Sequence, residues 1–358
     1  MRNFHPIKLH GMLKHFAYIA LLSILLLPAC KTDSSTADQP SGPYAVAGEI
    51  DRLDLRVNEY IARETVIEVL DSGYNWTEGP AWLATEGYYV FSDVPENTIF
   101  AWQEGKGSWE WLKPSGYTGK IPRPGEMGSN GLTLDPEGRL VLCQHGDRRV
   151  ARLDAPFSNP LPTFTTIADN YQGKRFNSPN DVVFDHQGRM YFTDPPYGLI
   201  NNMQDSSKEL DFQGIYRVDR PGEVVLLDTV SRPNGIALSP DESTLYVANS
   251  DPDKAVWYAY SLDSLGNVSD RRIFLDVTDK VGSRNPGLPD GMRVHPSGVL
   301  FATGPGGVWI INPAGEPLGI IRTGQATANC NFNSSFSELF MTADDYIMRV
   351  AIETNLLH

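Results

Sequence analysis

From about residue 62 onward the apolar residues fall in short runs of Val, Ile, Leu, Tyr and Phe, broken by Gly, Pro, Asn and Asp, and almost no stretch carries the spacing of an amphipathic helix. That pattern predicts an all-β chain of many short strands. One phrase recurs: a polar residue, often after Pro or Ser, then a small residue, a strand, a turn with Asp, Pro or Gly, and a second strand rich in Leu, Tyr and Val. Its copies start at Glu78, Asn130, Asn180, Asn234 and Asp290, with a weaker one at Asn329. A multi-strand unit repeating at about 40–55 residues predicts propeller blades, and six copies predict a six-bladed β-propeller. A β-sandwich with coincidental turns is the alternative, which the regular interval disfavours. The segment from Thr65 to Leu70 precedes the first copy and is expected to pair near the C-terminus, closing the ring.

If each polar residue begins the innermost strand of its blade, all six lie at one mouth of the central channel. At ~3.3 Å per residue a strand of about five residues and its returning partner bring the chain back to the same mouth. That arithmetic adds Asp93, His145, Asp194, Asn249 and Gly304. Asn and Asp at a strand start can simply bond the local backbone. A ring that also includes Glu78 and Asp290 is better explained by a cation. Carboxylate and amide oxygens are hard ligands that suit Ca²⁺ rather than Zn²⁺. Ca²⁺ is therefore the expected cofactor, with Mg²⁺, Mn²⁺ and Zn²⁺ as alternatives.

The N-terminus changes the picture of where such a protein works. Arg2, Lys8 and Lys14 precede an apolar run from Phe16 to Leu27, followed by Pro28-Ala29-Cys30. A basic start, a short apolar core and a small residue before the cut form a secretory signal, and the cysteine after it has the form of a lipobox. Residues 1–29 are expected to be a lipoprotein signal peptide, with Cys30 as the lipidation site and residues 30–48 as a flexible tether. Residues 49–358 would then form the propeller. This predicts a cell-envelope protein, periplasmic or surface-facing, that meets a membrane through its anchor alone. The net charge of −14 becomes more acidic once the leader is cut, and excludes a nucleic-acid partner. Cys143 and Cys330 lack metal-site spacing and read as buried free thiols.

The phrases Thr77-Glu78-Gly79-Pro80-Ala81-Trp82, Asn177-Ser178-Pro179-Asn180-Asp181, Thr193-Asp194-Pro195-Pro196-Tyr197-Gly198, Arg232-Pro233-Asn234-Gly235 and Pro289-Asp290-Gly291-Met292-Arg293, in this order and spacing, resemble the SMP-30/gluconolactonase family from about Ile50 to Val350. The resemblance implies a six-bladed propeller with a central divalent cation on Glu78, Asn180, Asn234 and Asp290. It also implies that Asp290 is the acid/base. The expected activity is metal-assisted hydrolysis of a sugar lactone, with Asn130, His145, Arg175, Asp194 and Tyr197 as candidate substrate contacts. His145 could equally relay a proton or be a satisfied rim histidine. Two rival readings are a hydrolase of another lactone, ester or phosphotriester, and a non-catalytic propeller that binds carbohydrate or protein around a structural cation.

Overall fold

Each repeat folds as one antiparallel meander. The computed structural model describes residues 43–121 and 123–355, and these form six blades with no α-helix among them. The innermost strands of blades 1 to 6 are Thr77–Leu83, Ser129–Leu134, Val182–Phe184, Pro233–Leu238, Met292–Val294 and Thr327–Phe332. They neighbour one another in that order round the axis, and the last lies against the first. The expected signal leader, the expected lipidation site Cys30 and the expected tether up to residue 42 lie outside the described residues.

The apolar runs are continuous because each blade is buried on both faces. Successive side chains of a strand point to opposite faces. In Tyr88–Asp93, Tyr89 and Phe91 pack into the junction with blade 6, while Val90 packs into the junction with blade 2. In Leu140–Gln144, Leu140 and Leu142 face blade 1, whereas Val141 and Cys143 face blade 3. The six apolar clusters among the described residues correspond to the six junctions between blades. Cys143 and Cys330 are free and buried in different junctions, so they are not partners for each other.

The ring closes as the sequence predicts. Strand Ile67–Ser72 joins blade 6 by pairing with Tyr346–Ala351, with Tyr346 opposite Ser72 and Arg349 opposite Glu68. Tyr89 of blade 1 stacks on Phe340 of blade 6 at 4.3 Å between centroids. Two further strands were not expected. Ala45–Ala47 pairs with Ile67–Ser72 on the edge of blade 6, and Glu49–Arg52 pairs with Pro317–Arg322 on the edge of blade 5. The end of the presumed tether, residues 45–48, is therefore corrected: Ala45–Ala47 belong to the sheet. A three-residue strand whose side chains are mostly exposed carries no alternation for a sequence reading to detect.

Candidate active site

Close approach of the inner strands sets the geometry of the axis. A Cβ on Gly131 would lie 2.6 Å from the carbonyl oxygen of Asn180, and one on Gly235 would lie 2.2 Å from that of Asp290. The glycine after Glu78, Asn130, Asn234 and Asp290 is thus what lets the next blade's polar residue come up beside it. Side-chain hydroxyls stitch the same layer: Ser92 Oγ donates to the Asn130 carbonyl at 2.9 Å, and Thr193 Oγ1 to that of Asn234 at 2.6 Å. The polar starts are therefore held in register by their backbones, and their side chains are free to converge.

They converge on one cavity of about 420 Å³, lined by Glu78, Asn130, Asn180, Asn234 and Asp290. Tyr197 lines it too, so six of the sequence-predicted site residues are brought together. Glu78 accepts hydrogen bonds from its neighbour Gly79 N at 2.9 Å and from Asn329 Nδ2 at 3.3 Å. Asn234 Nδ2 donates to Ser250 Oγ at 2.9 Å, which commits the amide nitrogen and leaves Oδ1 as the uncommitted donor atom for a ligand. Ser250 Oγ in turn donates to the carbonyl of Pro289, beside Asp290.

Electrostatics mark this floor as unfinished without a positive partner. Burial pushes the Glu78 carboxyl up, with the Asp181 and Glu126 carboxylates adding to the shift and the Gly79 and Asn329 bonds opposing it. Asp290 is held well above the usual carboxylate range by burial, then by Glu78, Asp181 and Glu126. Burial and then Asp290 raise Tyr197. Asp290 Oδ1 and Asn130 Oδ1 are buried with no hydrogen-bond partner. Crowded carboxylates and orphaned oxygens are what a hard cation satisfies, so Glu78, Asn180, Asn234 and Asp290 fit such an ion. Among the described residues no group of three or more His, Cys, Asp and Glu forms a metal cluster. The set here has two carboxylates, and its remaining donors are amides.

Arg175 and Asp194 do not line the cavity. Arg175 is exposed and reaches the carbonyl of Asp147 at 3.0 Å, while its own N–H donates to Glu209 at 2.8 Å. Its short strand, Lys174–Arg175, pairs with Asn170–Tyr171 in a two-stranded hairpin separate from the blades. Asp194 does return to the mouth, as the hairpin arithmetic predicts, but its carboxylate turns to backbone and accepts from Asn177 N and Ser178 N, each at 2.8 Å. Asp93 does the same for Asn75 N and Trp76 N, and Asn249 for Arg232 N. This position is a clamp on the segment that leads into the inner strand. Burial raises the Asp194 carboxyl to about 7 against those N–H bonds.

His145 holds the equivalent place in blade 2 and clamps nothing. It is wholly buried, neither ring nitrogen has a hydrogen-bond partner, and Nδ1 lies 3.4 Å from Glu126 Oε2. That distance is within ion-pair range but outside hydrogen-bond geometry. His145 is thus not tied to the chain by a hydrogen bond as the clamp residues are. Sequence reasoning missed Glu126, Ser250, Trp76 and the wall of Pro252, Val281, Pro286 and Leu288. The wall makes one side of the cavity apolar, where the sequence pointed to a polar mouth. Glu126 lies between repeats with no pattern to flag it. Ser250 is one step past Asn249, which the arithmetic had named.

A propeller with oxygen donors from four blades on its axis is the architecture this sequence pattern predicted, and comparison with known proteins gives it a family. The chain belongs to the SMP-30/Gluconolactonase/LRE-like family, whose profile matches residues 76–345. It is 37% identical over 344 residues to a gluconolactonase of Zymomonas mobilis, covering 94% of this chain and 96% of that one. It is 26% identical to the pentonolactonase XacC of Haloferax volcanii, over 66% of this chain and 69% of that one. Among solved structures it resembles a gluconolactonase from Xanthomonas campestris, with a TM-score of 0.74, 29% identity and coverage of 88% of this chain and 99% of that one.

Proposed function

We propose that the protein is a lactonase that opens sugar lactones in the axial cavity, with a divalent cation, Ca²⁺ by ligand hardness, on Glu78, Asn180, Asn234 and Asp290. The observation that carries the reading is the convergence of these four residues on one cavity where Asp290 Oδ1 is buried and unpartnered. When bound, the cation supplies Lewis-acid polarisation of the lactone carbonyl and the positive charge that the buried carboxylates lack. Asp290 takes a proton from water at its carboxylate as the water oxygen adds to the carbonyl carbon. It returns that proton to the ring oxygen as the ring C–O bond breaks, giving the hydroxy acid. Ser250 fixes the Asn234 amide, and Asn130 and Tyr197 offer polar groups to the substrate. His145 and Arg175 do not line the cavity, so direct substrate contact is not proposed for them.

The test is hydrolysis of gluconolactone followed by proton release, in wild type and Asp290→Asn, with and without a chelator. Activity should vanish on chelation, return with added Ca²⁺ and be lost in the variant. Hydrolysis that persists in both conditions defeats the reading. We further propose export and lipid anchoring at Cys30. On that reading Cys30→Ser should move the protein from the membrane to the soluble fraction. Among the described residues no helix is long and apolar enough to cross a membrane.

A further inference from the structure

Glu126 is the one carboxylate of the cavity that belongs to no blade. It sits in the connection between the outer strand of blade 1, Gly107–Leu112, and the inner strand of blade 2. That connection is strapped down. Asn97 Oδ1 accepts from the N–H groups of Ser115, Gly116 and Tyr117 at 3.1, 2.8 and 3.0 Å, and Gly128 N donates to the Val94 carbonyl at 2.8 Å. Arg123 donates to the carbonyls of Gly146 and Gly198. Glu126 is thus carried on a fixed strap.

Its placement has a cost. It lines the cavity with Glu78 and Asp290, so a third carboxylate joins two that are already buried. Among the described residues it accepts no hydrogen bond from the protein, and its side chain is 39% exposed. The chain has also placed His145, wholly buried and without a hydrogen bond, beside it, at the position that in three other blades is an acid or amide clamping backbone. A buried imidazole with both nitrogens unpaired costs stability, and the Glu126 carboxylate, 3.4 Å from Nδ1, is the charged group within reach. Val281 and Leu288, from the connection between blades 4 and 5, lie three blades round the six-bladed ring from Glu126 and line the same cavity with Pro252. One wall therefore offers a carboxylate, which only accepts, and the facing wall offers hydrocarbon. The ligand that matches both has hydroxyl donors on one side and C–H on the other.

We propose that Glu126 is a specificity-determining residue: its carboxylate accepts hydrogen bonds from the hydroxyls of a polyhydroxylated lactone, and His145 is the positioning residue that holds it. This rests on the lactonase reading. A site built to bond hydroxyls discriminates against the analogue that lacks them, because its acceptor is left unpaired. The experiment measures kcat/KM for glucono-δ-lactone and for δ-valerolactone, which has the ring and no hydroxyls, in wild type, Glu126→Gln and Glu126→Ala. The ratio of the two should fall by about tenfold or more in Glu126→Ala through KM for the sugar lactone, and by less in Glu126→Gln. Equal loss on both lactones, or an unmoved ratio, overturns the inference alone. Hydrolysis of neither lactone by wild type overturns the lactonase reading and this inference with it. His145→Gln placed on Glu126→Ala should leave the ratio where Glu126→Ala put it. A further fall as large as in the wild-type background overturns the pairing.

Discussion

The two ends of the axial channel are built from the same six strands and do opposite things with polar groups. At the mouth, Asp290 Oδ1 and Asn130 Oδ1 are left without partners, and burial and then the Glu78 carboxylate raise Asp290. Three or so residues further along the same strands is a second cavity of about 370 Å³, lined by Trp82, Thr133, Arg293, Asn331 and Phe336. There the charged and amide groups are tied off, although Trp82 Nε1 is buried without a partner. Arg293 Nη1 donates to the Met292 carbonyl at 2.7 Å and lies 3.8 Å from the Asp181 carboxylate, and Asn331 Nδ2 donates to the Pro80 carbonyl at 2.7 Å. A repeat supplies position; whether a position becomes a site depends on whether its atoms are already satisfied. Blade 3 shows this within one residue step, since Asp181 stands where blades 2 and 4 have Gly131 and Gly235, and its charge is met by Arg293 from blade 5.

The comparison can be broken most sharply at the mouth. Asp290→Asn should lower lactonase kcat/KM by about 10³-fold, the usual scale for losing an acid/base. In chelator its melting temperature should stay level or rise, because a crowded buried charge has been removed. A lower melting temperature in chelator would mean the carboxylate is there for packing. At the far end the expectation reverses. Arg293→Met should cost about 3 kcal/mol in urea unfolding by leaving Asp181 buried without its counter-charge. Adding Asp181→Asn should recover most of that loss.

The clamp residues give a smaller, pH-dependent effect. The Asp194 carboxyl is raised from 3.8 to about 7 in the fold. Folding therefore takes up a proton between those values, and stability should fall as pH rises through that window. In Asp194→Asn the free energy of urea unfolding should depend less steeply on pH across it, by up to ~1.4 kcal/mol per pH unit. An unchanged slope would show that Asp194 is ionised throughout. The smallest effect is expected for Ser250→Ala. Freeing the Asn234 amide should reduce kcat/KM by about tenfold, with about 1 kcal/mol lost in stability.

What could be read in the sequence was what the repeat repeats. Glu78, Asn130, Asn180, Asn234 and Asp290 each open a copy of one phrase, so their convergence followed from blade geometry. The return of Asp194 and His145 to that mouth followed from strand length. The sequence could not say which way those side chains turn: Asp194 and Asn249 face backbone, and nothing in their identity separates them from cavity residues. Glu126, Val281 and Leu288 come from connections whose length and course vary from blade to blade, and no period constrains them. The first strand, Ala45–Ala47, was hidden because it is short and mostly exposed, with no alternation of apolar and polar residues.

The ring is fastened by residues from its two ends, with Ile67–Ser72 of the N-terminal part held by Tyr346–Ala351 near the other terminus. A chain emerging N-terminus first can pair Ile67–Ser72 with Ala45–Ala47 at once, but the partner of that strand in blade 6 arrives only with residues 346–351. Closure is a contact of very long sequence separation, so it should come late and slowly. Trimming the final strand would do more than shorten the chain, because it would also remove the partner that holds the beginning.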